Sequence, residues 1–360
     1  MAEQKRIRWG ILGPGRIAHT FCKDSKFSQS AELAAVASRN HDSAQSFANL
    51  YHIPQAYGSY EQLYRDPTID AIYIATPHNF HFEQAKAALL AGKHVLVEKP
   101  ITVNAEQCAE LIALAQKQNR FLMEAMWTYF LPAIVQAKRW VTEGRIGKIV
   151  HVKADFGYPT PYIPGDRMYE PELAGGCLHD LGIYTLALGQ YFIEQQPLSA
   201  EYHQQRHDLG VEDDLVIEAK YADASATLAC SFREKLPNAA FIMGERGCVV
   251  IPEFWRAEEC FLLGFGEEHG RFSGDVGELS GDVGEVLACA RMTGDDAELS
   301  GVGEVLDEFI DKREGSGFEF QIEAASRSIL NGEIENAVMP HATCLILQKQ
   351  MDGIFAKIND

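Results

Sequence analysis

The stretch Ile7-Arg8-Trp9-Gly10-Ile11-Leu12-Gly13-Pro14-Gly15-Arg16-Ile17-Ala18 decides the fold. An apolar strand runs directly into G-x-G-x-x-A, and residues compatible with a helix follow. Gly13 makes the tight turn from strand to helix, Gly15 lets backbone approach a diphosphate, and Ala18 lets the helix pack closely on the sheet. The diphosphate of a dinucleotide then rests on the backbone of Gly13, Pro14, Gly15, Arg16 and Ile17, at a helix N-terminus that favours an anion. A bare glycine triplet is weak evidence. Strand, glycines and helix in register make the nucleotide reading specific.

The next strand sharpens it. An acidic residue about 20 positions past the glycines would hold the ribose hydroxyls of NAD. None is there: Glu32-Leu33-Ala34-Ala35-Val36-Ala37 ends in Ser38-Arg39-Asn40. A guanidinium offers a planar, permanently charged fork and serine a hydroxyl donor, which suits a 2′-phosphate. The sequence points to NADP over NAD, with Arg39 as a solvated surface cation the competing reading.

Size and charge bound the rest. The 360 residues are enough for two domains with real cores, and 46% hydrophobic with 23% charged residues is the composition of a globular protein. No apolar run approaches the ~20 residues of a membrane span, and no signal peptide precedes the first strand, so a cytoplasmic location is expected. The eight scattered cysteines show no metal spacing and read as reduced thiols used in packing. No His, Cys and carboxylate set completes a metal site around His78 and His81, so no metal is expected. A net charge of −19 opposes nucleic acid or an anionic membrane as partner.

Residues 1–125 alternate strand and helix, with strands expected near 7–13, 32–38, 71–75, 94–98 and 121–124. This rhythm predicts an α/β domain with a doubly wound parallel sheet binding ligands at the carboxyl ends of its strands. Those ends carry Gly13, Ser38-Arg39, Thr76-Pro77-His78-Asn79 and Glu98-Lys99-Pro100. From 126 to 360 the rhythm changes to consecutive strands on short polar turns, between helices near 132–143, 177–190, 320–331 and 341–358. That pattern predicts an α+β substrate and dimerisation domain with a mainly antiparallel open sheet. Alternating apolar residues such as Ala226, Leu228 and Cys230 are expected on its uncovered face and point to a homodimer. Residues 273–308 do not fit: Ser273-Gly274-Asp275-Val276-Gly277-Glu278-Leu279 nearly repeats at 280–286, with ten acidic residues against one basic. This reads as an inserted acidic loop or hairpin without chemistry.

Three pieces carry the chemistry: Glu98-Lys99-Pro100, Met123-Glu124-Ala125-Met126-Trp127, and Gly175-Gly176-Cys177-Leu178-His179-Asp180-Leu181-Gly182-Ile183-Tyr184. On these motifs the chain resembles the glucose–fructose oxidoreductase / inositol dehydrogenase family of NAD(P)-dependent oxidoreductases. It is most similar to the branch holding dimeric dihydrodiol dehydrogenase and NADP-dependent D-xylose dehydrogenase. The resemblance covers nearly the whole chain. It implies Lys99 and Tyr184 as catalytic pair and Asp180 as supporting carboxylate. It also implies that Thr76, Pro77, Asn79, His81, Glu98, Lys99 and Trp127 line the cofactor site beside the glycine loop and Ser38, Arg39 and Asn40. Trp127, Phe156, Tyr162, Arg167 and Asp180 are the candidates to contact substrate, although most of the aromatics in this region also read as core. Where the branch usually has Arg after Trp127-Thr128, this chain has Tyr129, so the resemblance leaves the substrate open.

The residue chemistry agrees. Oxidising an alcohol needs a base for the hydroxyl proton while hydride leaves to a nicotinamide. A lysine ammonium beside a tyrosine favours the phenolate, bringing down an ordinary value of about 10. Asp180 and Tyr184, four apart, share a helix face; Asp180 fits equally a carboxylate serving that helix's N-terminus. Lys99 and Tyr184 come from different domains, which predicts a reaction centre in the cleft between them. The expected activity is hydride transfer between NADP and a cyclic polyol, an aldose such as D-xylose or a trans-dihydrodiol. A non-catalytic NADP-sensing regulator and an NAD-dependent inositol or amino-sugar dehydrogenase are the alternatives.

Overall fold

A computed structural model describes residues 5–265 and 304–358. Two compact units divide the chain: Met1–Phe130 with Glu172–Ala174 and Arg313–Ala356, and Leu131–Pro171 with Gly175–Lys312 and Lys357–Asp360.

The first unit is built on a six-stranded sheet of β1 (Ile7–Leu12), β2 (Ala31–Ala37), β3 (Gln55–Tyr57), β4 (Ala71–Ile74), β5 (His94–Glu98) and β6 (Leu122–Ala125). The strands are parallel in the order β3-β2-β1-β4-β5-β6, the doubly wound order of dinucleotide-binding domains. Such a sheet is covered on both faces, so its strands read as apolar runs: all four residues of β4 are buried. Helices α1 (Arg16–Ser25), α2 (His41–Tyr51), α3 (Tyr60–Arg65), α4 (His81–Leu90) and α5 (Ala105–Gln118) fill the crossovers. Their ends are encoded locally. Asn104 caps α5 by accepting the Gln107 amide at 2.9 Å, and Asn119 closes it with a left-handed φ of 50°.

Two helices far along the chain also belong to this unit, a division different from a boundary at residue 125. They are α8 (Phe318–Leu330) and most of α9 (His341–Ile358), following α6 (Pro132–Thr142) and α7 (Ile183–Ile193) of the second unit. Asp24 of α1 accepts the amides of Ser316 and Phe318, at 2.8 and 3.1 Å, and fixes the start of α8. The Trp9 indole donates to Ser326 Oγ at 2.9 Å. Hydrophobic periodicity predicts such helices but does not say which sheet they cover.

The second unit holds an eight-stranded sheet of β7 (Ile149–Gly157), β8 (Ser199–Arg206), β9 (Glu212–Lys220), β10 (Ser225–Ser231), β11 (Ala240–Gly244), β12 (Gly247–Ile251), β13 (Glu259–Gly264) and β14 (Glu304–Ile310). The order is β14-β13-β12-β11-β7-β10-β9-β8, antiparallel except for the β7–β10 pair. The acidic stretch expected as a loop therefore ends in strand: residues 304–308 lie in β14, and the rest of 273–308 is outside the described residues. Charge on an edge strand discourages pairing with another sheet.

The face offered for dimerisation is corrected. Leu228 and Cys230 lie under α7 and the turn before it, since a Cβ on Gly189 would touch Leu228 at 3.4 Å and one on Gly182 would meet Cys230 Sγ at 2.9 Å. Ala226 alternates onto the same covered face. The opposite face of β8–β10 presents Glu201, Glu218 and Thr227 in one cross-strand row, polar side chains that need no apolar partner.

Candidate active site

In the first unit the polar residues gather at the carboxyl ends of the parallel strands. Gly13 has φ +89°, and a Cβ there would meet Thr76 Cγ2 at 2.8 Å, so both backbone and space exclude a side chain. Helix α1 opens at Gly15 with no side chain capping it. A bare, crowded glycine loop before an uncapped helix N-terminus fits the diphosphate of a dinucleotide. Asn79 adds a buried side-chain oxygen with no hydrogen-bond partner among the described residues, an acceptor suited to a ribose hydroxyl.

At the tip of β2, Arg39 is exposed and enters no ion pair among the described residues. The Ser38 hydroxyl accepts the Asn40 amide at 3.3 Å. Asn40 itself is the N-cap of α2, accepting the Ser43 amide at 3.1 Å, so its side-chain oxygen serves the helix.

The other tips are braced to one another. His81 is buried, with Nδ1 2.8 Å from the Pro100 carbonyl and Nε2 2.8 Å from the Thr76 carbonyl. It ties the end of β4 to the turn after Lys99. The Thr76 hydroxyl pairs with Gln84 Oε1 at 2.5 Å, and His78 Nε2 lies 2.7 Å from the Ala174 carbonyl. Glu98 is buried and accepts the Tyr73 hydroxyl at 2.5 Å. Thr76, His81 and Glu98 thus hold the shape of the strand ends. Trp127 is 5% exposed and packs on Phe318 with ring centroids 4.8 Å apart, which makes its ring part of this unit's core.

In the second unit, residues Leu178–Gly182 wind as a single π turn before α7. Such turns recur at functional sites because they re-aim side chains. Asp180 lies in that turn and Tyr184 in the first turn of α7. Arg167 Nη2 contacts Asp180 Oδ1 at 3.0 Å. Tyr184 is 8% exposed, and Phe156 meets its ring edge-on at 5.5 Å. Phe156 in turn stacks on Trp255 at 5.2 Å and 19°. Tyr162 is 43% exposed and stands instead against Tyr169 and His207, at 5.8 and 5.0 Å.

Sequence reasoning missed the residue that seats this turn. Glu212 accepts the Leu178 amide at 3.1 Å, and a Cβ on Gly176 would collide with its carboxylate. Burial pushes the Glu212 carboxyl up to about 7. The only sequence signal was G-G immediately before the turn, the mark of a close approach. Among the described residues, the one cluster able to hold a metal ion is Glu201, His203 and Glu218, exposed on β8 and β9 and separate from these motifs. No helix among the described residues is long and apolar enough to cross a membrane.

Comparison with known proteins follows the same lines. Residues 7–126 match the oxidoreductase family with an NAD-binding Rossmann fold, and residues 134–250 match the GFO/IDH/MocA C-terminal domain. Trans-1,2-dihydrobenzene-1,2-diol dehydrogenase of Mus musculus is 37% identical over 73% of this chain and 79% of its own. Two solved structures share the fold at 22% identity. They are an aldose-aldose oxidoreductase from Caulobacter crescentus, with TM-score 0.80 over 98% of this chain and 97% of that one, and a 3-ketoreductase from Actinomadura kijaniata in complex with NADP, with TM-score 0.75 over 97% of each. The chain belongs to the GFO/IDH/MocA family of oxidoreductases with an NAD(P)-binding Rossmann domain.

Proposed function

We propose that the protein is an NADP-dependent dehydrogenase of cyclic polyols, moving hydride between the cofactor and an aldose such as D-xylose or a trans-dihydrodiol. The observation that carries this reading is the surround of Tyr184. A phenol stands one turn after a guanidinium–carboxylate pair and against the edge of a stacked aromatic pair. Polar groups suited to hydroxyls beside aromatic surface suited to C–H faces are what a ring-shaped polyol requires.

A bound nicotinamide supplies the hydride chemistry. In the oxidising direction Tyr184 takes the proton of the substrate hydroxyl, and Lys99 favours the phenolate and orients the alcohol oxygen. Asp180, held by Arg167, accepts a neighbouring hydroxyl and selects the ring orientation. The preference for NADP rests on Arg39: a bare guanidinium at the β2 tip suits a 2′-phosphate, and no carboxylate there competes for a ribose. The relatives named trans-1,2-dihydrobenzene-1,2-diol dehydrogenase support the diol arm of the substrate class. The reading includes a cytoplasmic enzyme acting as a homodimer, the latter open to light scattering at micromolar concentration.

The experiment is a screen of aldoses and cyclic trans-diols, following NADPH formation against NADH formation. Turnover with one of these classes and preference for NADP are expected. No turnover with either, despite tight NADPH binding, would favour a cofactor-sensing role.

A further inference from the structure

We infer that His207, in the turn from β8 to β9, is a positioning residue for Arg167: its ring is the platform on which the segment carrying the guanidinium stands. The inference rests on the reading of Arg167 and Asp180 as groups that face the polyol.

Arg167 has no strand or helix of its own to hold it; it lies in the irregular segment 160–169, between β7 and the π turn. Local bonds shape that segment. The Asp166 amide donates to the Ile163 carbonyl at 3.0 Å, Asp166 Oδ1 accepts the Met168 amide at 2.9 Å, and the Tyr169 hydroxyl donates to the Thr160 carbonyl at 2.7 Å, closing the two ends. A loop closed in this way fixes its own shape but not where it sits. Aromatic contacts supply the seat. Tyr162 meets Tyr169 edge-on at 5.8 Å and 89°, and the His207 ring lies 5.0 Å from Tyr162 and 4.6 Å from Tyr169. The imidazole therefore packs against both flanks of Arg167, before it and after it in the chain.

The same hairpin holds the other half of the ion pair. Glu212, the first residue of β9, accepts the Leu178 amide of the π turn at 3.1 Å. Two glycines let the pieces close up: a Cβ on Gly175 would meet the Arg167 carbonyl at 2.8 Å, and one on Gly176 would collide with the Glu212 carboxylate. The Gly176 amide also donates to the Met168 carbonyl at 2.9 Å, bonding the entry of the π turn to the Arg167 segment. The hairpin end is itself well fixed. The His207 amide donates to the Val211 carbonyl at 3.0 Å, and the Gly210 amide to the His207 carbonyl at 2.8 Å. Arg233 ties β8 to β9 by donating to Gln205, to the Arg206 carbonyl and to Asp213. Arg167 and Asp180 thus meet at 3.0 Å with His207 behind one and Glu212 behind the other. Removing the His207 ring frees one half of the pair and leaves the other seated.

His207 Nδ1 also accepts the Leu209 amide at 3.3 Å, a purely local role that two variants separate from the proposed one. His207→Phe keeps the ring and loses that acceptor. His207→Asn keeps an acceptor suited to an amide two residues on and loses the ring. Limited trypsin digestion of the folded protein, read by mass spectrometry at the Arg167–Met168 bond against the other cleavage sites, reports how often the segment opens, without any need for turnover. His207→Asn is expected to be cut there about three- to tenfold faster than the wild type, and His207→Phe at the wild-type rate. KM for the polyol should rise about three- to tenfold in His207→Asn, with kcat changed less and NADPH affinity within about twofold, and should recover in His207→Phe. An Asn variant that behaves as wild type in both measurements, or a Phe variant as impaired as Asn, would overturn the inference. Tyr162→Ala removes the same ring contact from its exposed side, so the digestion does not depend on a His207 variant; unchanged cleavage at Arg167 there would equally overturn it. Faster cleavage in His207→Asn with an unchanged KM would keep His207 as the seat of Arg167 and end the reading of Arg167 as a substrate group.

Discussion

Arg167 holds Asp180 through a 3.0 Å guanidinium–carboxylate contact, in the π turn that precedes Tyr184. The pair is only partly shielded, so its contribution to stability is small. Its importance is orientation: it fixes which way a carboxylate faces beside the proposed base. Arg167→Met is expected to raise KM for the polyol about tenfold or more, with kcat changed less and NADPH affinity within about twofold. An equal loss in NADPH affinity would assign Arg167 to the cofactor.

Arg39 is expected to select the cofactor. Charge-assisted hydrogen bonds to a 2′-phosphate contribute on the order of 1.5–3 kcal/mol each. Arg39→Ala should therefore weaken NADP about tenfold or more and leave NAD nearly unchanged in fluorescence titrations. Parallel losses for both would return Arg39 to the role of a solvated cation.

Glu323 should control the acid stability of the first unit. It accepts Ser28 Oγ, the Gln29 amide, and both the amide and hydroxyl of Ser30 at 2.7–3.0 Å, and it pairs with Arg327. Burial pushes its carboxyl up, but these donors win and hold it down at about 2, from an ordinary 4.5. A depressed carboxyl contributes stability above the ordinary value and loses it as pH falls through the folded value. Glu323→Gln should lower stability by about 1.5–3 kcal/mol at pH 7 and flatten its fall between about pH 4.5 and 2, seen in urea titrations. An unchanged acid limb would refute this.

Glu212 should behave in the opposite sense. Its carboxyl is raised to about 7, so the folded state favours the protonated form. That contribution is complete below about 4.5 and is lost as pH rises through about 7. Glu212→Gln mimics the neutral form, so its melting temperature should gain on the wild type from pH 5 to pH 8. A constant difference over that range would contradict it.

Much of the fold was legible because single residues had single physical meanings. Gly13 and Gly15 fixed the first strand, its turn and its helix, and the βαβ rhythm of the next hundred residues fixed a parallel sheet. The proposed site rests on residue types in motifs: Lys99 before Pro100, and Asp180 four before Tyr184. What was not legible depends on partners distant in sequence. The pattern of 318–330 predicts a helix, but only Asp24 and Trp9 say that it covers the first sheet. Ala226, Leu228 and Cys230 alternate as expected, but alternation does not say which face a helix covers. Asn40 and His81 were polar residues at the right edge, whose hydrogen bonds turn out to serve backbone groups. Trp255, stacked on Phe156, belonged to no motif.

The most direct test of the account is steady-state turnover of Tyr184→Phe with the best polyol of the screen. Phenylalanine keeps the ring against Phe156 and removes only the hydroxyl. The account expects kcat to fall by about 10²–10⁴ with NADPH affinity within about twofold, and Lys99→Met to fall similarly. The double variant should be far less than multiplicatively worse. A Tyr184→Phe enzyme with near wild-type turnover and an unchanged pH profile would contradict the account and leave Asp180 or His179 as the base to examine.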